Sequence, residues 1–153
     1  NNLLAEIARQ FGEELLEVVF QPFKLNSGEN WQIIIKTCVD RAVKLYKENA
    51  AYQQLLISGK APADIKLSDR DNDAIGGEFV IRAINEHFVM NEFENQEQIF
   101  FHMVEIIDLM LMLSVNKHGE ITDFMAEEAK RAAIAYLKCY LPEYLPLRHK
   151  ESS

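Results

Sequence analysis

The chain has 153 residues, 48% of them hydrophobic and 26% charged. That composition excludes a disordered polymer and suits one domain with its own core. Sixteen basic against 24 acidic residues give a net charge of −8, which excludes a phosphate-gripping surface on this chain, since such a surface must be basic.

In chain order, the apolar pattern begins at once with Leu3, Leu4 and Ile7, after an Asn1 with no Met, basic segment or cleavage signal before it. No signal peptide is read there, and the chain is expected to be a piece of something longer. The first helix is predicted over about residues 2–20, with Leu4, Ile7, Ala8, Phe11, Leu15, Val18 and Val19 at helical spacing and Pro22 ending it. The second follows Asn26 and Ser27, with Glu29 placed as in a capping box. Its apolar face is Trp31, Ile34, Ile35, Cys38, Ala42, Leu45 and Tyr46. A short third helix covers about 50–57, and residues 58–62 break the pattern.

The fourth helix is predicted to start near Ser68, with Asp69 and Asp71 in its first turn, and carries Ile75, Phe79, Val80, Ala83, Ile84, His87 and Phe88. Asn95 caps the fifth, which ends at Lys117-His118-Gly119. Thr122 caps the sixth, which runs to about Leu141 and is stopped by Pro142. No strand pattern and no internal repeat is read. The fold class is therefore all-α: a bundle of about six helices joined by short connections. The domain covers 1–147, and 148–153 form a polar tail expected to fray.

The fifth helix is apolar around nearly its whole girth, with Ile99, Phe100, Phe101, Met103, Val104, Ile106, Ile107, Leu109, Met110, Leu111, Met112 and Leu113. Either it is the central core helix of a monomer, or it turns one face to its own core and another to a second subunit. His102, Glu105 and Asp108 interrupt it, and the stretch 99–113 is read as too short and too polar for a membrane span. On the sixth helix Ala126, Ala129, Ala133, Tyr136 and Tyr140 share a strip. Small residues let backbones approach, so this strip, with Ile106 and Leu113 of the fifth helix, is the expected face of a homodimer. Helix propensity alone is the other reason for such alanines.

Gly76-Gly77 interrupts the fourth helix at about 1 kcal/mol each against alanine. The pair implies a tolerated kink with tight packing, or room for something near the backbone. In the second case a ligand cavity would be lined by Trp31, Ile34, Ile35 and Cys38 of the second helix, Phe79, Ala83 and His87 of the fourth, and Phe100, Met103, Ile107 and Met110 of the fifth. Four of the five methionines lie between 103 and 125, which suits a cavity for varied apolar molecules. Core filling is the alternative for each residue.

His102, Glu105 and Asp108 recur three apart, as a solvated edge, a polar anchor for a ligand or a metal site. No HExxH and no Glu-x-x-His pair occurs, so no metal or other cofactor is assigned. There is no GxSxG, P-loop or GxGxxG, and no catalytic residue is assigned. The two cysteines, Cys38 and Cys139, are too few for a disulfide framework or a cysteine zinc site and suit a reducing, cytoplasmic setting without a membrane.

The stretch Asn49-Ala-Ala-Tyr52-Gln-Gln-Leu55-Leu56-Ile-Ser-Gly59-Lys-Ala-Pro62-Ala-Asp-Ile65-Lys-Leu-Ser-Asp69-Arg70 resembles the middle of the C-terminal domain of TetR-family transcriptional regulators: a short helix, a Gly/Pro loop and an Asp-Arg opening of the next long helix. The start, Asn2 to Ile7, resembles the helix that follows the family's helix-turn-helix domain, and the last two helices resemble its dimerisation pair. The resemblance implies a homodimer that binds a small apolar or amphipathic effector. It also implies that DNA is bound only through an N-terminal helix-turn-helix domain missing from this chain, in keeping with the net charge of −8. The other readings are a helical-bundle enzyme using His102, Glu105 and Asp108, and a helical adaptor without a small ligand.

Overall fold

A computed structural model describes the backbone of residues 2–57 and 63–149 and the side chains of 3–56 and 71–149. The expected break at 58–62, the side chain of Asp69 and the tail beyond 149 lie outside the described residues. Six helices follow one another: α1 (Asn2–Val19), α2 (Gln32–Glu48), α3 (Ala50–Ile57), α4 (Ala63–His87), α5 (Gln96–His118) and α6 (Asp123–Leu137). No strand occurs among the described residues; Phe88 and Leu147 form an isolated antiparallel bridge.

α5 packs against α3, α4 and α6, and α2 lies against α1, α3, α4 and α6. Their shared interior includes Trp31, Ile34, Ile35, Ile84, Phe88, Phe100, Met103 and Leu111, all buried. Such an interior is packed as tightly as an organic crystal, so each contact constrains its neighbours. The glycine pair shows this most clearly. A Cβ on Gly77 would lie 3.0 Å from the carbonyl carbon of Phe100 and 3.0 Å from the amide nitrogen of Phe101. Here α4 meets α5 backbone to backbone, and a side chain has no place. Gly76 is different: its Cβ would find Val104 at 3.9 Å, an ordinary contact. α4 is one continuous helix through both glycines.

Helix ends differ from the sequence reading in instructive ways. Glu29 Oε1 accepts the Asn26 amide at 2.7 Å, as a capping box requires, yet α2 begins only at Gln32. The reason is the C-terminal segment. Asn30 accepts the amides of Trp31 and Leu145, each at 2.9 Å, and donates to the Leu145 carbonyl at 3.1 Å. Trp31 Nε1 donates to the Pro142 carbonyl at 2.9 Å. Asn30 and Trp31 therefore seat the C-terminal segment rather than extend the helix. α4 begins at Ala63, ahead of Ser68, so Asp71 lies in its interior and not in its first turn. Asn95 precedes α5 with a φ of 62° and makes no side-chain cap; the backbone conformation is what it supplies. Thr122 caps α6 by accepting the Met125 amide at 3.1 Å. α6 stops at Leu137, short of Leu141.

α5 spans 23 residues with a mean hydropathy of 1.7 in its most apolar window. By length and composition alone it is long and apolar enough to cross a membrane, a test that the core helix of a folded protein passes as well. In this fold 33% of that window is buried within the chain.

Gly77→Ala is expected to destabilise the fold by about 1–3 kcal/mol, the range for overpacking a filled interior. Gly76→Ala is expected to add up to about 1 kcal/mol through helix propensity. Urea denaturation followed by circular dichroism compares them, and equal midpoints would contradict the backbone contact.

Candidate functional site

Where Gly76 leaves space, a cavity opens between α1, α2, α4 and α5. Its cavity volume is about 70 Å³, a narrow slot beside the roughly 300–1,000 Å³ usual for small-molecule sites. α1 supplies Leu15, Leu16 and Val19, α2 supplies Ile35, Cys38, Val39 and Ala42, and Phe20 follows α1. α5 supplies Met103, Val104 and Ile107. The wall is apolar but for one sector, where Asn72 and Asp73 of α4 meet Asp108 of α5.

Asp73 is only 8% exposed. Its carboxyl faces those of Asp108 and Glu105, and among the described residues no cation answers it. Burial first, and then the facing carboxyls, hold Asp73 far above the ordinary carboxylate range. Asp108 is raised as well, chiefly by burial. Among the described residues, one Glu105 oxygen, Oε1, is buried without a hydrogen-bond partner. Cys38 lines the same cavity, and burial pushes its thiol up to about 12 despite the nearby Arg41 charge. Burial thus favours its neutral thiol form. Cys139 is free and exposed, just beyond α6.

The eleven residues read as cavity lining divide into groups. Ile35, Cys38, Met103 and Ile107 line the cavity. Trp31, Ile34 and Phe100 are fully buried elsewhere in the core. Met110 is half-buried against that core. Phe79, Ala83 and His87 line a second, more open groove with Phe20, Pro22, Phe23, Arg82 and Glu86. The sequence reading missed α1 as a wall and missed Asp73. Asp73 was within reach: positions 73, 76, 77 and 80 fall on one helical face, the face on which Gly77 meets α5.

The His102/Glu105/Asp108 stripe is not one site. Six residues turn a helix through about 600°, leaving His102 and Asp108 about 120° apart. His102 Nδ1 pairs with the Tyr136 hydroxyl at 2.8 Å on the α6 side, whereas Asp108 turns to α4. Among the described residues no cluster of His, Cys, Asp and Glu could hold a metal ion.

The residues read as a dimer face also divide. Ala126, Ala129 and Ala133 are buried within the single chain, where α6 packs on α2 and α5; their small size serves that approach. Lys130 lies on the same side, bound to Asp40 of α2 at 2.5 Å and Glu127 at 2.8 Å. Ile106 and Tyr136 are half-buried. Leu113 is exposed, with Leu109 one turn before it, at 45% and 49%. Tyr140 is exposed and stacks on Phe93 with ring centres 5.9 Å apart.

A carboxyl whose pKa is raised on folding keeps a proton that the unfolded chain releases above about pH 4. The stability contributed by the acid pair therefore falls as pH climbs above that value. Asp73→Asn removes one such group. It is expected to lose less stability than the parent between about pH 5 and about pH 8 in urea denaturation. Identical losses would contradict the burial of the pair.

Comparison with known proteins agrees with this architecture. The family described as tetracyclin repressor-like, C-terminal domain, matches residues 29–140, from just before α2 to just after α6. No curated protein and no solved structure matches. With more than half of its length matched, the chain belongs to the tetracyclin repressor-like C-terminal domain family, a regulatory class of ligand-binding and dimerisation domains.

Proposed function

We propose that this domain senses a small, mostly apolar effector in the cavity between α1, α2, α4 and α5, as part of a cytoplasmic homodimeric transcriptional regulator. The observation that carries the reading is the cavity itself, with Leu15, Leu16 and Val19 of α1 forming one wall. An occupant that touches α1 has differential contact with any two positions of that helix, which a population shift requires. α1 is seated by Phe11 between Tyr46 and Tyr52, each ring centre 4.8 Å away. Its end is held by Arg41, which donates to the carbonyls of Val19, Gln21 and Pro22. A shift of this helix would be passed to DNA-reading heads on another part of the protein, whose half-sites lie about 34 Å apart. Coupling of about 1–3 kcal/mol is typical of such switches.

The dimer proposed here uses the outward faces of α5 and α6: Ile106, Leu109 and Leu113 with Ala132, Ala135, Tyr136 and Tyr140. The support is the uncovered apolar surface on α5, which calls for cover. Ala126, Ala129 and Ala133 are left out because the protomer already buries them. The metal-enzyme reading has no comparable support, since the polar stripe it needs is divided between two faces.

Leu113→Arg is expected to shift the sedimentation equilibrium toward monomer by about tenfold or more while helical content is unchanged, because Leu113 is 45% exposed in the protomer. An unchanged dimer would place the interface elsewhere. 1-Octanol is expected to raise the melting temperature of the parent, and Gly76→Leu is expected to fill the cavity and abolish that rise while leaving the dimer intact. A retained rise would mean that octanol binds at another place.

A further inference from the structure

We propose that the cavity takes an apolar molecule carrying a cationic nitrogen, and that Asp73 and Asp108 hold that nitrogen. The proposal rests on the effector-pocket reading and names the ligand class of that site. Its basis is the mismatch between the cavity wall and the two acids set in it. Leu15, Leu16, Val19, Phe20, Ile35 and Met103 offer nothing but hydrocarbon, ring and thioether surface. Against them stand two carboxyls from two different helices, one of them only 8% exposed. A carboxyl buried in apolar surroundings is costly unless something pairs with it. Among the described residues, the partners of Asp73 are other acids, Asp108 and Glu105, and Glu105 Oε1 has no partner at all. Two acids that share a site cannot both ionise without a cation. The geometry thus leaves a place for positive charge beside a slot for an alkyl or aryl group.

Among the described residues, the groups around that place come from four walls. α4 brings Asp73 and neutral Asn72; α5 brings Asp108, with Glu105 beside it. The wall residues of α1, Leu15, Leu16 and Val19, carry no titratable group, and α2 brings only the Cys38 thiol. Arg41, which acts on Cys38, is turned to the carbonyls at the end of α1. Burial holds the pKa values of Asp73 and Asp108 above the normal carboxylate range. An entering cation displaces a proton, which leaves to solvent. Cation affinity must then rise with pH, by up to about tenfold per pH unit for each proton released.

Titration calorimetry with three probes of one chain length tests this: octyltrimethylammonium, 1-octanol and octanoate, from about pH 6 to about pH 9. The ammonium is expected to bind the parent about tenfold or more tighter than octanol at the upper pH. Its affinity is expected to climb with pH and to release protons, seen as a heat that depends on the buffer. Asp73→Asn and Asp108→Asn are each expected to erase that preference and that pH slope while octanol binding persists, which also shows that the variants fold. Equal binding of ammonium and octanol, preference for octanoate, or an unchanged preference in both variants would overturn the proposal and leave the effector pocket standing. Failure of all three probes to bind the parent would overturn the effector pocket and this proposal together.

Discussion

The backbone contact between Gly77 and the Phe100–Phe101 peptide governs the rest of the molecule. It sets α4 against α5 closely enough that the residues one turn away on either side are fixed in register. Toward the C-terminus of α4, Val80 and Ile84 enter the core with Phe100 and Met103. Toward its N-terminus the same register brings Asp73 opposite Asp108. Gly76, beside the contact but not in it, leaves the gap in which the cavity opens. One close approach therefore yields a closed core on one side and an acid-marked hollow on the other.

The remaining walls are tied to this pair by polar clips at their ends. Lys130 joins α6 to α2 through Asp40. Burial works against its charge, but the hydrogen bonds it donates to Asp40 and Glu127 outweigh that cost and raise its pKa. Ser114, fully buried, donates to the Glu120 carbonyl and accepts the Thr122 amide, fixing the turn from α5 to α6. Tyr52 donates to Glu14 at 2.5 Å, tying α3 to α1. α1 is thus held by α2 and α3 at its rim and by the cavity wall along its inner face. A molecule in the cavity meets α1 through Leu15, Leu16 and Val19, side chains that add nothing polar to compete with the acids opposite.

The helix order, the six segments, the stop signal at Gly119 and the start signal at Thr122 were legible because they rest on local rules of period and capping. The double glycine was legible as an oddity, but a kink and a close approach produce the same letters; the nearness of Phe100 decides between them. The start of α2 was misread because the partner of Asn30 lies 115 residues away in sequence. The alanines of α6 were assigned to a second subunit when the approach they permit is internal. Small residues mark closeness without naming the neighbour. Of the residues expected to line a cavity, Ile35, Cys38, Met103 and Ile107 face the one between α1, α2, α4 and α5. The role of α1 as a wall depends on tertiary docking, which periodicity does not carry.

The central claim is that the α1–α2–α4–α5 cavity is where this domain binds its ligand, and the methionines provide a direct test. Met103 lines the cavity, whereas Met90 is buried in the core without lining it and Met125 sits in the first turn of α6. In a methyl NMR titration of the methionine-labelled protein with octyltrimethylammonium, the Met103 resonance should shift saturably while Met90 and Met125 stay in place. A saturable shift of Met125 or Met90 with Met103 unmoved would contradict the account.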